Sequence, residues 1–305
     1  MTSLMFRAPT EDDIPRLVEL RRIEEVEDGL DPVAVAADTL MTWSKPTFDR
    51  QRHALVVESD GDIVAFANLY LRETDAVVFG YVAGTHRGRG IGGQVIDWAI
   101  ETARNEPDLR ELYLSVPARA DALSLVESRP GFAFARSFFT MLNRSPGSLP
   151  EPEWPSGIRL VALDREALLD AALEAHAGSF IDHWNYHPIP RETMAAWLSH
   201  PDEDPTLWFM AFDGDRVAGF SLCHPEKGPG GVRGWIGNLG TVRSHRGIGL
   251  GRALLRHSCR AFADRGIGIV GLNVDSASPT GALGFYERSG FVTVLEDRRF
   301  VFRVR

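Results

Sequence analysis

The chain has 305 residues, 44% of them hydrophobic and 25% charged, an ordinary globular composition at about twice the length of a typical domain. Its formal net charge of −9 argues against a general nucleic-acid binder, and no apolar run approaches the ~18 residues of a membrane span. Two cysteines, Cys223 and Cys259, exclude a disulfide scaffold. We predict a soluble cytoplasmic protein, monomeric or homodimeric, that binds neither nucleic acid nor membrane.

The first half of the chain predicts a mixed α/β pattern. Helices are expected over 10–22 and 32–41, and Asp60-Gly61 joins two apolar runs as a hairpin turn. The elements expected next, in chain order, are a strand over 77–82, a helix over 91–103, a strand over 112–114, a helix over 121–127 and a strand over 133–142.

The second half repeats this order. Arg87-Gly88-Arg89-Gly90-Ile91-Gly92 recurs 159 residues later as Arg246-Gly247-Ile248-Gly249-Leu250-Gly251. The second copy has six more residues before this segment, and we interpret 224–231 as a longer loop. The proline-rich segment 145–155 is the predicted linker between domains 1–144 and 156–305. The expected elements of the second domain are helices over 167–175 and 191–198, a hairpin over 207–222, a strand over 235–242, a helix over 252–263, a strand over 269–274, a helix over 280–287 and a strand over 291–302.

The repeated glycine-rich segment has the chemistry of a pyrophosphate site. Glycines allow close approach of the backbone, and a helix N-terminus presents free N–H groups and a partial positive charge. The P-loop pattern is absent. The dinucleotide pattern G-x-G-x-x-G is met by Gly88, Gly90 and Gly93, but it fails in the repeat at Arg252, and no acidic residue follows at the end of the next strand.

A third motif fits the second copy in full and the first copy in its glycine-rich segment and in Gly131-Phe132. A strand followed by Arg-Gly-x-Gly-[Ile/Leu]-Gly and, about 40 residues later, by Tyr-Glu-Arg-x-Gly-Phe resembles the GCN5-related N-acetyltransferase (GNAT) superfamily over nearly all of each half. The resemblance implies two tandem α/β domains with mixed (α+β) sheets, acetyl-CoA as acyl donor and no metal. It implies that acetyl-CoA is contacted by Leu239, Gly240, Thr241, Val242, Arg246, Gly247, Ile248, Gly249, Leu250, Gly251, Arg252, Asn273 and Ser278, and in the first half by Val82, Arg87, Gly88, Arg89, Gly90, Ile91, Gly92 and Gly93.

The two copies differ at the predicted reaction centre. Tyr286 matches the family tyrosine that lies beside the thioester sulfur, whereas the residue 159 positions earlier is Glu127, and a one-residue shift gives Val126. Tyrosine titrates near ~10 and a thiol near ~8.5, so full proton transfer is uphill by roughly 2 kcal/mol, and hydrogen bonding to the thiolate is the expected role. Ser278 is the predicted N-cap of the helix that carries Tyr286.

A degenerate first copy followed by an active second copy resembles mycothiol synthase and its relatives, which acetylate a small cysteinyl-glucosamine-inositol amine. That family begins the strand before the second turn with an acidic residue, but Trp235 stands here. Glu226 and His183 are therefore the candidate bases. The candidate acceptor-site residues are Asp182, Trp184, Tyr186, His187 and His224.

The sequence thus predicts an N-acetyltransferase that moves the acetyl group of acetyl-CoA to a primary amine of a small molecule by direct attack in the C-terminal domain. Two alternatives remain open. One is a protein or peptide N-acetyltransferase, and the other is a non-catalytic module that binds acetyl-CoA.

Overall fold

The chain divides into two compact units. The computed structural model describes residues 4–45, 47–200 and 203–305. The first unit contains residues 1–139, 228–230 and 294–305, and the second contains 140–227 and 231–293. This division differs from a single cut within 145–155, because the C-terminal strand of the chain pairs with a strand of the first unit.

The first unit is built on a mixed sheet. Its strands follow the order β1 (Leu4–Arg7), β2 (Ala54–Ser59), β3 (Asp62–Leu71), β4 (Asp75–Val82), β5 (Glu111–Pro117) and β12 (Val292–Arg303). Only β4 and β5 run parallel in this series, and a parallel pair requires a crossover, which a helix supplies. The helices are α1 (Ile14–Glu27), α2 (Ala36–Trp43), α3 (Arg50–His53), α4 (Ile91–Asn105, the crossover) and α5 (Ala120–Glu127).

Helices cover both faces of this sheet. Successive strand residues point to opposite faces. Val56 packs with Leu17 of α1, whereas its neighbour Val57 packs with Ile91 and Val95 of α4. Because both faces are covered, consecutive residues of β2 are buried, and this explains why the strand is apolar at consecutive positions.

The second unit repeats the plan. Its elements are the end of β6 (Phe132–Asn143), β7 (Ile158–Val161), α6 (Arg165–Phe180), α7 (Arg191–Leu198), β8 (Trp208–Asp213), β9 (Arg216–Gly228), β10 (Gly231–Thr241), α8 (Leu250–Asp264), β11 (Val270–Asp275) and α9 (Ala282–Glu287). The strand order is β6-β11-β10-β9-β8-β7, and β10 and β11 are parallel. Phe220 and Met210 pack under α6 and α7, and Ala218 packs under Leu250 and Leu254 of α8.

Three local predictions were wrong. The segment 224–231 is not a loop, because β9 and β10 extend through it and leave only Pro229 and Gly230 between them. Helix α2 begins at Ala36 rather than near Pro32. Helix α9 begins at Ala282 and its N-cap is Gly281, in the left-handed region at φ +68°, so Ser278 is not the cap.

Candidate functional site

In each unit the two central parallel strands separate before they end. β10 is paired with β11 only as far as Ile236, although it continues to Thr241. β4 is paired with β5 only as far as Val78, although it continues to Val82. Backbone groups beyond these points face an opening, where an extended ligand can bond to them as an added strand does.

A glycine turn lies at the mouth of each opening. Gly247 (φ +80°) and Gly249 (φ +92°) precede α8, and Gly88 (φ +73°) and Gly90 (φ +81°) precede α4. A Cβ on any of these glycines would meet no atom within 4 Å, so conformation rather than crowding requires glycine. Among described residues, the N–H groups of 247–251 find no acceptor. Consecutive free N–H groups at a helix N-terminus form an anion site.

The side chain of Arg246 is engaged by neighbouring protein groups. Its Nε donates to the carbonyl of Thr241 at 3.3 Å, its Nη2 donates to the carbonyl of Ser179 at 2.9 Å, and its Nη1 donates to Asp182 at 3.2 Å. All three nitrogens are therefore engaged by protein. The residue braces the strand end against α6, and its contact with pyrophosphate stays a prediction.

Arg87 repeats this arrangement in the first unit. Its Nε donates to the carbonyl of Val82 at 3.0 Å, and its Nη2 donates to Glu27 at the end of α1. Arg89 donates to the carbonyl of Thr85 at 3.0 Å. The arginines of both motifs thus stabilise the turn from within.

The strand residues predicted to face acetyl-CoA, 239–242, lie at and just past the end of β10, beyond its last pairing with β11. Gly240 lies against α6 and β9, since a Cβ there would lie 2.5 Å from Phe220 and 2.7 Å from Ser179. Leu239 packs on the core beneath α8, and the N–H of Val242 donates to the carbonyl of Ala218 at 3.0 Å. Both faces of this strand end are thus covered by protein, by α6 and β9 at Gly240 and by the core beneath α8 at Leu239.

The predicted cofactor residues around the two turns fall into an exposed group and a buried group. Ile248 is 51% exposed and Arg252 is exposed, so both can reach a ligand on the turn. Leu250 and Ile91 are core residues, and Gly251 lies against Thr241. These three positions support the turn rather than face its outer side.

The first turn of α4 is more crowded. A Cβ on Gly92 would lie 2.8 Å from Leu125, and one on Gly93 would lie 2.6 Å from Arg129. Arg129 is ion-paired with Asp97. The residue of the second unit that matches Gly93 is the exposed Arg252.

Two further predicted cofactor residues, Asn273 and Ser278, make hydrogen-bond contacts with other side chains. Asn273 of β11 accepts a hydrogen bond from Thr140 at 2.8 Å. Ser278 lies in the turn before α9, where its hydroxyl is 2.9 Å from that of Thr280. Neither geometry prevents a ligand contact, since both side chains lie at the surface or partly exposed.

Tyr286 is buried on α9. Only 8% of the residue is exposed, and its ring lies 5.1 Å from that of Phe285 and 5.9 Å from that of Phe291, centroid to centroid. Burial, with a smaller effect of Cys223, raises the pKa of the phenol far above its ordinary value. The hydroxyl therefore stays protonated and is a hydrogen-bond donor at neutral pH.

The first unit has no phenol at this place. Glu127, the last residue of α5, is exposed, and the preceding Val126 is fully buried. The buried position of Tyr286 thus corresponds to an apolar side chain.

The α6–α7 connection begins with a fixed carboxylate. Asp182 accepts hydrogen bonds from Arg243 and Arg246, and these contacts lower its pKa. Further along, Asn185 has a positive φ of 51°, and its Oδ1 lies 3.1 Å from Nε2 of His187. Trp184 is partly buried. The connection is therefore an ordered, mostly polar segment.

An aromatic group joins this connection to α6. The His183 ring lies edge-on to Phe180 at 4.7 Å, and the Tyr186 ring stacks on His176 at 5.8 Å. Burial lowers the pKa of His183 and raises that of Tyr186. His176 was not singled out in the sequence, where its only signal is a polar residue at a helical position that falls on the buried face of α6.

Glu226 and His224 lie on β9. Glu226 accepts hydrogen bonds from Nε and Nη2 of Arg233, at 2.8 and 2.6 Å, and the Arg233 side chain is only 5% exposed. Burial, with the nearby His200 and Arg233, lowers the pKa of His224 to about 4. His224 is thus neutral at pH 7, while Glu226 is committed to a buried ion pair.

Both cysteine side chains are free thiols in the interior of the second unit. Cys223 and Cys259 are buried, and burial raises the pKa of Cys223 to about 11 and that of Cys259 further, so neither is a thiolate near neutral pH. Within residues 4–45, 47–200 and 203–305, no cluster of three His, Cys, Asp or Glu is arranged to hold a metal ion. Over the same ranges, no helix is long and apolar enough to span a membrane.

An unpaired strand edge beside free N–H groups at a helix N-terminus can bind an extended ligand that ends in a pyrophosphate, as acyl-CoA does. A family model described as "Acetyltransferase (GNAT) family" matches residues 16–132 and 168–291. The chain belongs to this family, whose enzymes use acetyl-CoA, and it carries two GNAT domains in tandem.

Named relatives match along nearly the whole chain. The mycothiol acetyltransferase of Geodermatophilus obscurus is 28% identical over 303 residues, which is 94% of this chain and 96% of the relative. That of Thermomonospora curvata is 30% identical over 296 residues, 94% of this chain and 93% of the relative. The crystal structure of a GCN5-related N-acetyltransferase from Sphaerobacter thermophilus has a TM-score of 0.79 at 28% identity, and the match covers 99% of this chain and 96% of that one.

Proposed function

We propose that the second unit transfers the acetyl group of acetyl-CoA to a primary amine of a small molecule by direct attack. The observation that carries this proposal is the difference at matched positions, Tyr286 in the second unit against Val126 and Glu127 in the first. A buried, protonated phenol can donate a hydrogen bond to a departing sulfur. An isopropyl group has no hydrogen-bond donor, and neither Val126 nor Glu127 has a phenolic hydroxyl.

A difference between the two glycine turns also supports the second unit as the one that binds the donor for reaction. In the second unit Arg252 is exposed on the first turn of α8, where a guanidinium can pair with phosphate. In the first unit Gly93 holds the matching position and is covered by Arg129. We therefore assign the donor nucleotide of the reaction to the second turn.

The reaction is a balanced exchange of one acyl group. The lone pair of the neutral amine attacks the thioester carbon, a C–N bond forms and the C–S bond breaks. The sulfur takes the electron pair of the broken bond, and Tyr286 donates a hydrogen bond to it. The nitrogen loses one proton and CoA gains one, so the products are an amide and the CoA thiol.

The two predicted bases are not equivalent in this scheme. Glu226 is held by Arg233, and protonating it would leave that buried guanidinium without its counterion. The imidazole of His183 is neutral at pH 7 because burial lowers its pKa. We favour His183 over Glu226 as the group that receives the amine proton.

The relatives named mycothiol acetyltransferase support a small amine as the acceptor. Release of the CoA thiol from acetyl-CoA tests this with ethanolamine, glucosamine, cysteinamide and lysine-containing peptides. We expect amine-dependent release with at least one small amine. Release with the peptides alone would instead support protein acetylation, and tight acetyl-CoA binding without any release would support a non-catalytic module.

A further inference from the structure

Helix α6 carries two buried polar side chains that lack a hydrogen-bond partner in the described chain. His176 is 8% exposed and makes no hydrogen bond to a described residue. Ser179, one turn further on, is 3% exposed and its hydroxyl has no partner among the described residues. The Ser179 hydroxyl is a buried, unsatisfied group, which costs about 1–3 kcal/mol. The ring nitrogens of His176 are not among the fully buried unpaired atoms, so they keep some exposure and can be reached by a ligand.

The imidazole of His176 is packed through its faces and not through its nitrogens. Its ring stacks on Phe180 at 4.8 Å with an interplanar angle of 24°, and on Tyr186 at 5.8 Å with an angle of 28°. Phe220 meets it edge-on at 6.4 Å. The nitrogens lie on the ring edge, and that edge is what remains for a bound molecule.

The helix that carries His176 lies on the strand that borders the opening. The hydroxyl of Ser179 is 2.8 Å from the place that a Cβ on Gly240 would occupy, and Gly178 lies against Val242. The carbonyl of Ser179 accepts a hydrogen bond from Arg246, which belongs to the anion-binding turn. The position of His176 is therefore fixed relative to both the strand and the turn.

In the first unit the two residues that match His176 and Ser179 form an ion pair with each other. Glu27 and Asp182, the acidic partners of the two motif arginines, are 155 residues apart. The same spacing relates Arg21 to His176 and Glu24 to Ser179, and in the first unit that pair forms a 2.9 Å ion pair. In the first unit Arg21 and Glu24 pair with each other. In the second unit the side chains of His176 and Ser179 make no hydrogen bond to a described residue.

We propose that His176 binds the acceptor amine and orients it for attack on the thioester. An N–H of the amine donates to an unprotonated imidazole nitrogen, which leaves the amine lone pair free to approach the carbonyl carbon. Burial, with a smaller effect of His183, lowers the pKa of His176 to about 4, so the ring accepts this hydrogen bond at neutral pH. This role rests on the proposed acetyl transfer in the second unit and makes His176 a positioning residue for the amine.

The test compares His176→Phe, which keeps the stacked ring and removes the nitrogens, with His176→Gln, which restores a hydrogen-bond acceptor. The amine probe is the fastest of ethanolamine, glucosamine and cysteinamide. We expect His176→Phe to raise the KM for the amine at least tenfold, with the KM for acetyl-CoA within twofold and an unchanged or higher Tm. His176→Gln is expected to recover part of the amine KM.

His257→Phe is the matched control. His257 lies on α8 of the same unit, and its ring contacts Trp154 at 5.6 Å and Phe209 at 4.5 Å, so the substitution is of the same type at a place away from the proposed amine. It should move neither KM. An amine KM within twofold of wild type in His176→Phe overturns the proposal, as does an equal rise in both KM values. If Tyr286→Phe retains the wild-type rate, the proposed function fails first and independently.

Discussion

Nη1 of Arg246 lies 3.2 Å from Oδ2 of Asp182, and the first unit repeats this relationship between Arg87 and Glu27. In both units the arginine that opens the glycine motif also donates to the carbonyl at the end of the preceding strand. The motif arginine thus holds three elements together, namely the strand end, the turn and the end of the first long helix.

Replacing Arg246 with alanine is therefore expected to loosen the turn. The substitution removes hydrogen bonds to two carbonyls and one carboxylate, and at a partly exposed site we expect a loss of about 1–3 kcal/mol in the free energy of unfolding. The KM for acetyl-CoA should rise about tenfold, one decade being ~1.4 kcal/mol. Urea unfolding and initial rates measure the two effects. Arg243→Ala, which removes an exposed partner of the same Asp182, should change stability by less than about 0.5 kcal/mol, and an equal effect of both variants would contradict the bracing role.

Tyr286→Phe should lower kcat about 100-fold with little change in stability. Loss of one preorganised donor to a developing anion costs ~10²–10³ in rate. Tyr81→Phe in the first unit is the control, since its hydroxyl is also buried and has no partner among described residues. That control should retain activity within twofold. A rate for Tyr286→Phe close to wild type would remove the tyrosine from the reaction.

Gly240→Ala should destabilise the second unit by about 1–3 kcal/mol, because the new Cβ would lie 2.5 Å from Phe220 and 2.7 Å from Ser179. Gly268→Ala is a suitable control, since its Cβ would meet nothing within 4 Å and its φ is not positive. Chemical denaturation of the two variants measures the difference. Equal stability of the two would show that α6 shifts away from β10 without cost.

Acid should weaken the second unit through its histidines. The pKa of His176 is about 4 in the folded protein, below the ordinary 6.5, so the unfolded chain binds more protons between these values. The stability it contributes is present above pH 6.5 and is lost as the pH falls towards 4. Urea midpoints at pH 7 and pH 5 should therefore differ less in His176→Phe than in the wild type. An identical acid loss in both proteins would assign the effect to other groups.

The free energy of unfolding of the first unit should depend on pH in the opposite direction, because of Glu24. Burial raises the pKa of Glu24 to about 7, so the folded state binds its proton more tightly, and stability falls as the pH rises from about 4.5 through 7. Glu24→Gln should raise the free energy of unfolding by about 1 kcal/mol at pH 8 and leave it unchanged at pH 4. Its partner Arg21 is half-exposed and can be solvated. Glu19→Gln, at an exposed ion pair with Arg16 on the same helix, is the matched control and should change the free energy of unfolding by less than about 0.5 kcal/mol.

Much of the fold was predictable because its signals are local. The hairpin at Asp60-Gly61 has positive φ at both residues, 52° and 83°, which the Asp-Gly pair adopts readily. The edge strands β1 and β7 were missed, because four residues such as Leu4–Arg7 are defined by pairing with a distant strand rather than by their own periodicity. The extension of β9 past Pro225 was missed for a related reason, since proline and glycine there indicated a loop.

The site was predictable where chemistry and spacing coincide. The glycine turns adopt the predicted conformation, and Tyr286 is buried on a helix. His176 was missed because a lone histidine among apolar residues has no distinguishing spacing. The ion pair of Glu226 was missed because its partner Arg233 comes close only when β9 and β10 extend as a hairpin.

The C-terminal strand β12 has a consequence for biosynthesis. It pairs with β5 from Asp297 and Pro117 to Arg303 and Glu111, so a strand of the first unit is translated only after the whole of the second unit. During translation β5 cannot form its pairing with β12 until the C-terminal residues have been synthesised. A fragment that ends at residue 144 lacks β12 and therefore leaves this edge of β5 without its native partner. We therefore expect the isolated first half to aggregate on expression and to be rescued by addition of a peptide spanning 292–305.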